Sequence, residues 1–106
     1  MNEARLSPQA ARDLEELHRH IAADNPASAA QVRTAILDLA DFLTQHPGLG
    51  RRISGPGKRH AQIRWLVVTS YRNHLVFFQP HEKSIMVVRI LHAARDWTRF
   101  FPASPS

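Results

Sequence analysis

The stretch from Ile63 to Trp97, IRWLVVTSYRNHLVFFQPHEKSIMVVRILHAARDW, decides the fold that we predict for this chain. It contains three short apolar runs, and the turn-forming sequence PHEK at 80–83 connects the second run to the third. Apolar runs of this length between turn residues indicate β-strands, and a short connection indicates a hairpin. The second and third runs are therefore predicted to pair antiparallel.

Successive side chains of a strand point to opposite faces of its sheet, which assigns each residue of these runs to a face. In the first run, Trp65 shares a face with Ile63 and Val67, so Trp65 is expected in the apolar core rather than stacked on a ligand. Strict alternation divides the third run into one face with Ile85, Val87, Arg89 and Leu91 and another with Met86, Val88, Ile90 and His92.

Ahead of the strands, the sequence predicts two antiparallel helices. Ser7-Pro8 and Asn25-Pro26 each combine a capping residue with a proline at the first helical position, which is a strong start signal. The sequence His46-Pro47-Gly48 ends the second helix. Apolar residues recur at helical spacing in both: Leu14, Leu17 and Ile21 in the first, and Ala29, Val32, Ile36, Leu39 and Leu43 in the second.

These elements predict a single α+β domain spanning residues 1–106. An N-terminal helical hairpin packs on one face of a small antiparallel sheet, with a short N-terminal strand at 3–6 and a basic loop at 47–62. A chain of 106 residues is long enough for one such core. Helices on one face leave the other face and at least one edge of the sheet open to a partner.

Composition excludes several functional classes. There is no Cys, and the seven His are dispersed, so neither a metal site nor a cofactor is expected. No apolar run reaches the 18 residues or so of a membrane-spanning helix. The N-terminal sequence MNEARLSPQ lacks the apolar core of a signal peptide, which favours a cytoplasmic protein.

The net charge of +5 is distributed unevenly. Residues 1–41 contain four Arg and seven acids, a balance of −3, whereas residues 42–106 contain ten Lys or Arg and two acids, a balance of +8. Twelve of the fourteen basic residues are Arg, whose planar fork suits bidentate contacts with carboxylate or phosphate. The second half is therefore expected to attract an acidic partner or a polyanion.

Four segments carry a resemblance to a known family: LSPQAARDLEEL, NPASA, HPGLGR and RILHAARDW. Together they resemble the ParE/RelE superfamily, the toxins of type II toxin–antitoxin (plasmid stabilisation) systems, over about residues 3–101. The ParE branch fits better than the RelE branch. The resemblance implies the same α+β fold, with residues 3–6 as an edge strand.

The two branches imply different activities. A ParE-like protein inhibits DNA gyrase through protein–protein contact and has no catalytic residues. A RelE-like protein is a ribosome-dependent mRNA endoribonuclease, for which the candidate residues here are Arg64, Arg89, His92 and Arg95. The chain lacks the Lys pair and the terminal Tyr of that branch, since its only Tyr is Tyr71. In the alternative structural reading, Arg89 and His92 orient the C-terminal segment by bonding to Asp96 or to backbone carbonyls. A family member that binds a partner without being toxic is a third possibility.

The resemblance also implies a partner. It predicts a ParD-like antitoxin, a ribbon-helix-helix protein whose disordered C-terminal segment folds onto the toxin to form a hetero-oligomer. Such a segment adds a strand to an open sheet edge and lays an amphipathic helix on the helical hairpin. The residues predicted to contact the antitoxin or the target are basic or apolar: Arg51, Arg52, Lys58, Arg59, Arg64, Trp97, Phe100 and Phe101.

Overall fold

The computed structural model describes residues 3–52, 62–69, 73–82 and 84–92. They form two helices and five strands: β1 (Glu3–Leu6), α1 (Pro8–Ala22), α2 (Pro26–Gln45), β2 (Arg51–Arg52), β3 (Arg64–Val68), β4 (His74–His81) and β5 (Ser84–His92). This is the predicted α+β architecture. Neither helix is long and apolar enough to cross a membrane.

Both helices begin where the sequence predicts. The Ser7 hydroxyl accepts a hydrogen bond from the Ala10 amide at 3.0 Å, and the Asn25 side chain accepts one from the Ser28 amide at 3.0 Å. Each cap satisfies a backbone donor that has no partner within its helix. Ser7 has a second role, because its hydroxyl donates to the Val88 carbonyl at 3.0 Å and so ties the start of α1 to β5.

The strand order across the sheet is β1-β5-β4-β3-β2. The predicted hairpin of β4 and β5 is confirmed, but pairing continues to His81 and Ser84, so Pro80 and His81 belong to β4 rather than to the connection. The sheet is mostly antiparallel. One pairing differs from the prediction, since β1 lies parallel to β5. The short strand β2, within the predicted basic loop, was not expected.

The two helices pack on one face of the sheet and enclose the main core. The predicted stripe of α2 is confirmed: Val32, Ile36 and Leu43 are fully buried, and Leu39 is partly buried. Their partners from the strands include Val68, Val76, Phe78, Ile85, Val87 and Ile90. This apolar layer fixes the positions of α1 and α2 over β5.

A β-bulge changes the face assignment of β5. Phe77 lies opposite Arg89 and Phe78 opposite Val87, so Val88 is an extra residue in the ladder. As a result Val87 and Ile90 both face the helices, whereas Val88 and Leu91 pack on the other face. The strict alternation predicted for this strand therefore fails after the bulge. Ile90 and Leu91 lie on the faces opposite to those predicted, because one inserted residue reverses the side chains that follow it.

The face of the sheet opposite the helices is also apolar. Ile63, Leu75, Phe77 and Leu91 form a buried cluster there, and Trp65 packs against it. The expectation that Trp65 belongs to an apolar cluster is confirmed. The expectation that this face is open is wrong at these positions, because Phe77 and Leu91 are almost fully buried.

Gly50 sets the approach of β2 to β3. Its φ of +86° lies in the left-handed region, and a Cβ at this position would stand 2.8 Å from the Trp65 carbonyl oxygen. Only glycine meets both conditions without strain. The turn after α2 can therefore place Arg51 and Arg52 directly beside β3.

Candidate functional site

A buried ion pair joins α1 to the bulge of β5. The Asp13 carboxylate accepts hydrogen bonds from Arg89 Nε at 2.8 Å and Arg89 Nη2 at 3.1 Å, and from the Ile90 amide at 3.0 Å. Gln9 donates to it at 3.1 Å. The Asp13 side chain is only 6% exposed. Four donors converge on one carboxylate, which makes Arg89 a structural link between helix and sheet.

Asp13 is a residue that the sequence analysis missed. Arg89 was expected to bond to Asp96 or to backbone carbonyls; its guanidinium instead bonds to Asp13, and Asp96 lies outside the described residues. A signal was present in the sequence. Asp13 falls three residues after Ala10 and four before Leu17, at the border of the apolar stripe of α1. A carboxylate at such a position needs a partner when it is buried.

His92 occupies the end of β5 beside α1. It lines a cavity of about 420 Å³ together with Glu16 and His20. Its ring also meets the ring of His74 edge-on, with centroids 5.6 Å apart. His74 is 1% exposed, and nothing in its position at the start of an apolar run had predicted this burial. His92 therefore stands in a partly enclosed setting rather than on an open sheet surface.

Three arginines cluster on β2 and β3, at the side of the sheet away from β5. We call Arg51, Arg52 and Arg64 the arginine edge. Arg52 lies directly across from Arg64 in the β2–β3 pairing, and Arg51 lies across from Trp65. The Arg51 guanidinium carbon is 5.8 Å from the centre of the Trp65 ring, a cation–π contact. Arg64 Nη1 donates to the carbonyls of Gly48 at 3.1 Å and Gly50 at 3.2 Å.

Among the residues that the structure describes, no carboxylate forms an ion pair with the arginine edge. Within the described ranges, ion pairs join Arg5 to Glu3, Arg33 to Glu15 and Arg89 to Asp13, but none reaches an arginine of the edge. Like charges directly opposite each other on two strands are destabilising. Arg52 and Arg64 nevertheless face each other, and with Gln62 and Pro80 they line an open cleft of about 350 Å³. This arrangement suits an anion supplied from outside.

Two exposed apolar side chains flank the turn that carries the arginine edge. Phe42 is 52% exposed and stacks on His46 with ring centroids 4.3 Å apart. Leu49 is 43% exposed, and its amide donates to the His46 carbonyl at 3.1 Å. Phe42 is not among the residues predicted to contact a partner, although its position off the α2 core stripe predicts exposure. Aromatic and aliphatic anchors beside arginine are typical of partner-binding surfaces.

The candidate catalytic residues do not form one centre in the described structure. Arg64 and His92 lie on strands separated by β4 and at opposite ends of the pairing, which puts their backbones about 16 Å apart from strand spacing and rise. Arg64 points to the turn after α2, whereas Arg89 is engaged by Asp13. The remaining predicted site residues lie outside the described ranges: Lys58, Arg59, Tyr71, Arg95, Trp97, Phe100 and Phe101.

Comparisons with a family model, a known toxin and a solved structure agree. Residues 4–97 match the model of the ParE toxin of the type II toxin–antitoxin system parDE. The chain is 30% identical over 94 residues to Toxin RelE3 of Caulobacter vibrioides, covering 88% of this chain and 96% of that protein. It is similar in fold to a solved chain of a chromosomal ParDE system from P. aeruginosa, with a TM-score of 0.65, 23% identity and coverage of 87% and 96% of the two chains.

Proposed function

The chain belongs to the ParE family of toxins from parDE type II toxin–antitoxin systems, and we propose that it inhibits DNA gyrase in the cytoplasm by protein–protein contact. The Asp13–Arg89 ion pair is the observation that carries the non-enzymatic part of this proposal. Because Asp13 binds Arg89, this arginine of the candidate nuclease set has a structural role. Metal-free RNA cleavage requires cations and a proton-transfer group around a single phosphate.

Two purified assays test this function. The chain should inhibit gyrase supercoiling and should leave ribosome-bound mRNA intact. The variant His92→Ala should keep its inhibitory activity as long as it is folded, whereas the full-length variant with Trp97, Phe100 and Phe101 changed to Ala should lose it. A ribonuclease that uses His92 as acid or base would instead lose about 10²–10⁴-fold in cleavage rate on the first change.

The neutralising partner in this proposal is a ParD-like antitoxin with an acidic, flexible C-terminal segment. The support is the combination of the arginine edge with exposed Phe42 and Leu49 around one turn. Arginine gives charge complementarity and the apolar side chains give buried area, the two components of a stable interface. Antitoxin affinity should fall as salt rises, because exposed charges are screened within about 10 Å at 0.1 M salt. Salt-independent binding would exclude the electrostatic component.

One observation keeps a second function in view. The Caulobacter relative is named Toxin RelE3. Resemblance to the RelE branch is the one that implies a nuclease. His92, at the end of β5, would then be the candidate proton-transfer group. Ribosome-dependent cuts in mRNA by the wild-type chain, lost in a folded His92→Ala variant, would support this function and overturn gyrase inhibition.

A further inference from the structure

The two edges of the sheet differ in charge. At the β1 edge the Arg5 and Glu3 side chains form an ion pair at 3.1 Å, so that edge is neutralised by its own residues. At the β2 edge Arg51 and Arg52 have no carboxylate partner among the described residues. An acidic extended segment that pairs with an edge strand therefore meets favourable charge at β2 and none at β1.

The cleft at the β2 edge has two arginines with different roles. Arg64 is fixed by the Gly48 and Gly50 carbonyls, and both bonds use Nη1, which leaves Nε and Nη2 for a ligand. Arg52 is exposed, and its guanidinium forms no hydrogen bond or ion pair within the described structure, so the whole fork is free there. A fixed and a free guanidinium facing each other can hold an anion between them, with the Gln62 amide as a further donor.

The geometry favours a single carboxylate over a nucleic-acid backbone. Proteins that bind nucleic acid use a groove of cations that follows successive phosphates. Here the arginines divide between the two faces of the sheet, since Arg51 covers the Trp65 ring while Arg52 and Arg64 line the cleft. Of the residues that the structure describes, two cations line this small cleft, and two cations match one acidic side chain. Within the described sheet β2 is the last strand, and a peptide, unlike a nucleic acid, can add to such an edge as a further strand.

We propose that the cleft of Arg52, Gln62, Arg64 and Pro80 is a carboxylate-binding site that receives an acidic side chain of the antitoxin segment as that segment docks along β2. Arg52 contacts the carboxylate, and Arg64 is positioned by the turn after α2 to complete the clamp. This inference rests on the proposed function for the identity of the partner. The site chemistry itself is independent of what the toxin inhibits.

Defined probes test the site on the full chain. An N-acetylated polyglutamate peptide and a single-stranded oligothymidylate of matched charge are titrated at low salt, with backbone and arginine Nε NMR signals as the readout. The test variant is Arg52→Gln and the matched control is Arg5→Gln, which removes the same charge from the neutralised edge. Far-ultraviolet circular dichroism and a melting curve establish that both variants are folded.

We expect Arg52→Gln to weaken peptide binding roughly ten- to hundredfold, the effect of losing a charge-assisted hydrogen-bonded pair. Arg5→Gln should change it less than about twofold. Equal losses in the two variants would reduce the effect to net charge and overturn the site. Tighter binding of the oligonucleotide than of the peptide, with the same dependence on Arg52, would assign the cleft to nucleic acid instead.

A separate experiment distinguishes failure of the site from failure of the proposed function. Co-expression of the chain with the product of the adjacent reading frame measures neutralisation of toxicity. If the partner neutralises the wild-type chain but Arg52→Gln does not change peptide binding, only the proposed carboxylate site is refuted. Specific peptide binding at Arg52 in a chain that neither harms cells nor inhibits gyrase would leave the site standing and remove the toxin function.

Discussion

Arginine has opposite environments at the α1–β5 junction and at the β2–β3 end of the sheet. At the junction, Arg89 is 20% exposed and is engaged bidentately by Asp13, which also caps the Ile90 amide. At the β2–β3 end, Arg52 and Arg64 face each other, and neither forms an ion pair with a carboxylate of the described residues. A desolvated charge needs an opposite charge or hydrogen-bond partners within the protein. An exposed charge is solvated by water and can stay unpaired until a binding partner supplies the opposite charge. The comparison separates arginines of the scaffold from arginines available for binding.

The largest expected effect is at the junction. Asp13→Ala should lower the free energy of unfolding by about 3–5 kcal/mol, because it leaves the Arg89 guanidinium and the Ile90 amide partly buried without their acceptor. Urea denaturation followed by circular dichroism measures the loss. Glu16→Ala on the same helix is the control. A loss below about 1 kcal/mol for Asp13→Ala would break the distinction between the two regions.

Substitutions in the apolar core give losses of stability with which the Asp13→Ala result can be compared. Ile36→Ala should cost about 2–5 kcal/mol, since Ile36 is fully buried under the sheet. Leu39→Ala should cost less, because Leu39 is only partly buried and its site can collapse or admit water. The same denaturation experiment gives both values. Equal losses at the two positions would show that burial does not rank the residues of this helix.

At the arginine edge, a substitution should change the free energy of unfolding in the opposite direction. Arg52→Gln removes one member of a like-charged cross-strand pair, so it should leave the folded state unchanged or stabilise it by up to about 1 kcal/mol at low salt. The gain should disappear in high salt, where the repulsion is screened. A destabilised Arg52→Gln variant would mean that Arg52 supports the fold, and the edge would then resemble the junction.

The smallest effect is at the exposed pair between the helices. Arg33 donates to Glu15 at 2.9 Å, and this hydrogen bond, with the attraction of the guanidinium, holds the pKa of Glu15 below its ordinary value of 4.5. A lowered folded-state pKa adds stability above pH 4.5 or so that is lost as the pH falls through the folded value. The melting temperature of Glu15→Gln should therefore be slightly below that of wild type at pH 7, and the two melting temperatures should be equal at acid pH. A difference that persists at low pH would point to lost packing.

Much of the scaffold was predictable because its signals are local. Ser7-Pro8 and Asn25-Pro26 place both helix starts, since capping depends on a side chain three residues from its donor. The α2 stripe and the β4–β5 hairpin likewise depend on neighbouring residues. Of the candidate site residues, Arg51, Arg52 and Arg64 were selected by type and charge, but their arrangement around one cleft was not foreseen.

The sequence by itself determined the order of both helices and of every described strand except β2, the faces of the helices, the basic second half and the family resemblance. Only the tertiary structure decided that Arg89 belongs to Asp13, that a bulge at Val88 redirects the end of β5, and that β1 pairs parallel to β5. These features join residues as many as 81 positions apart. Periodicity and capping act within a few residues, whereas such contacts exist only after the hairpin of helices has packed on the sheet.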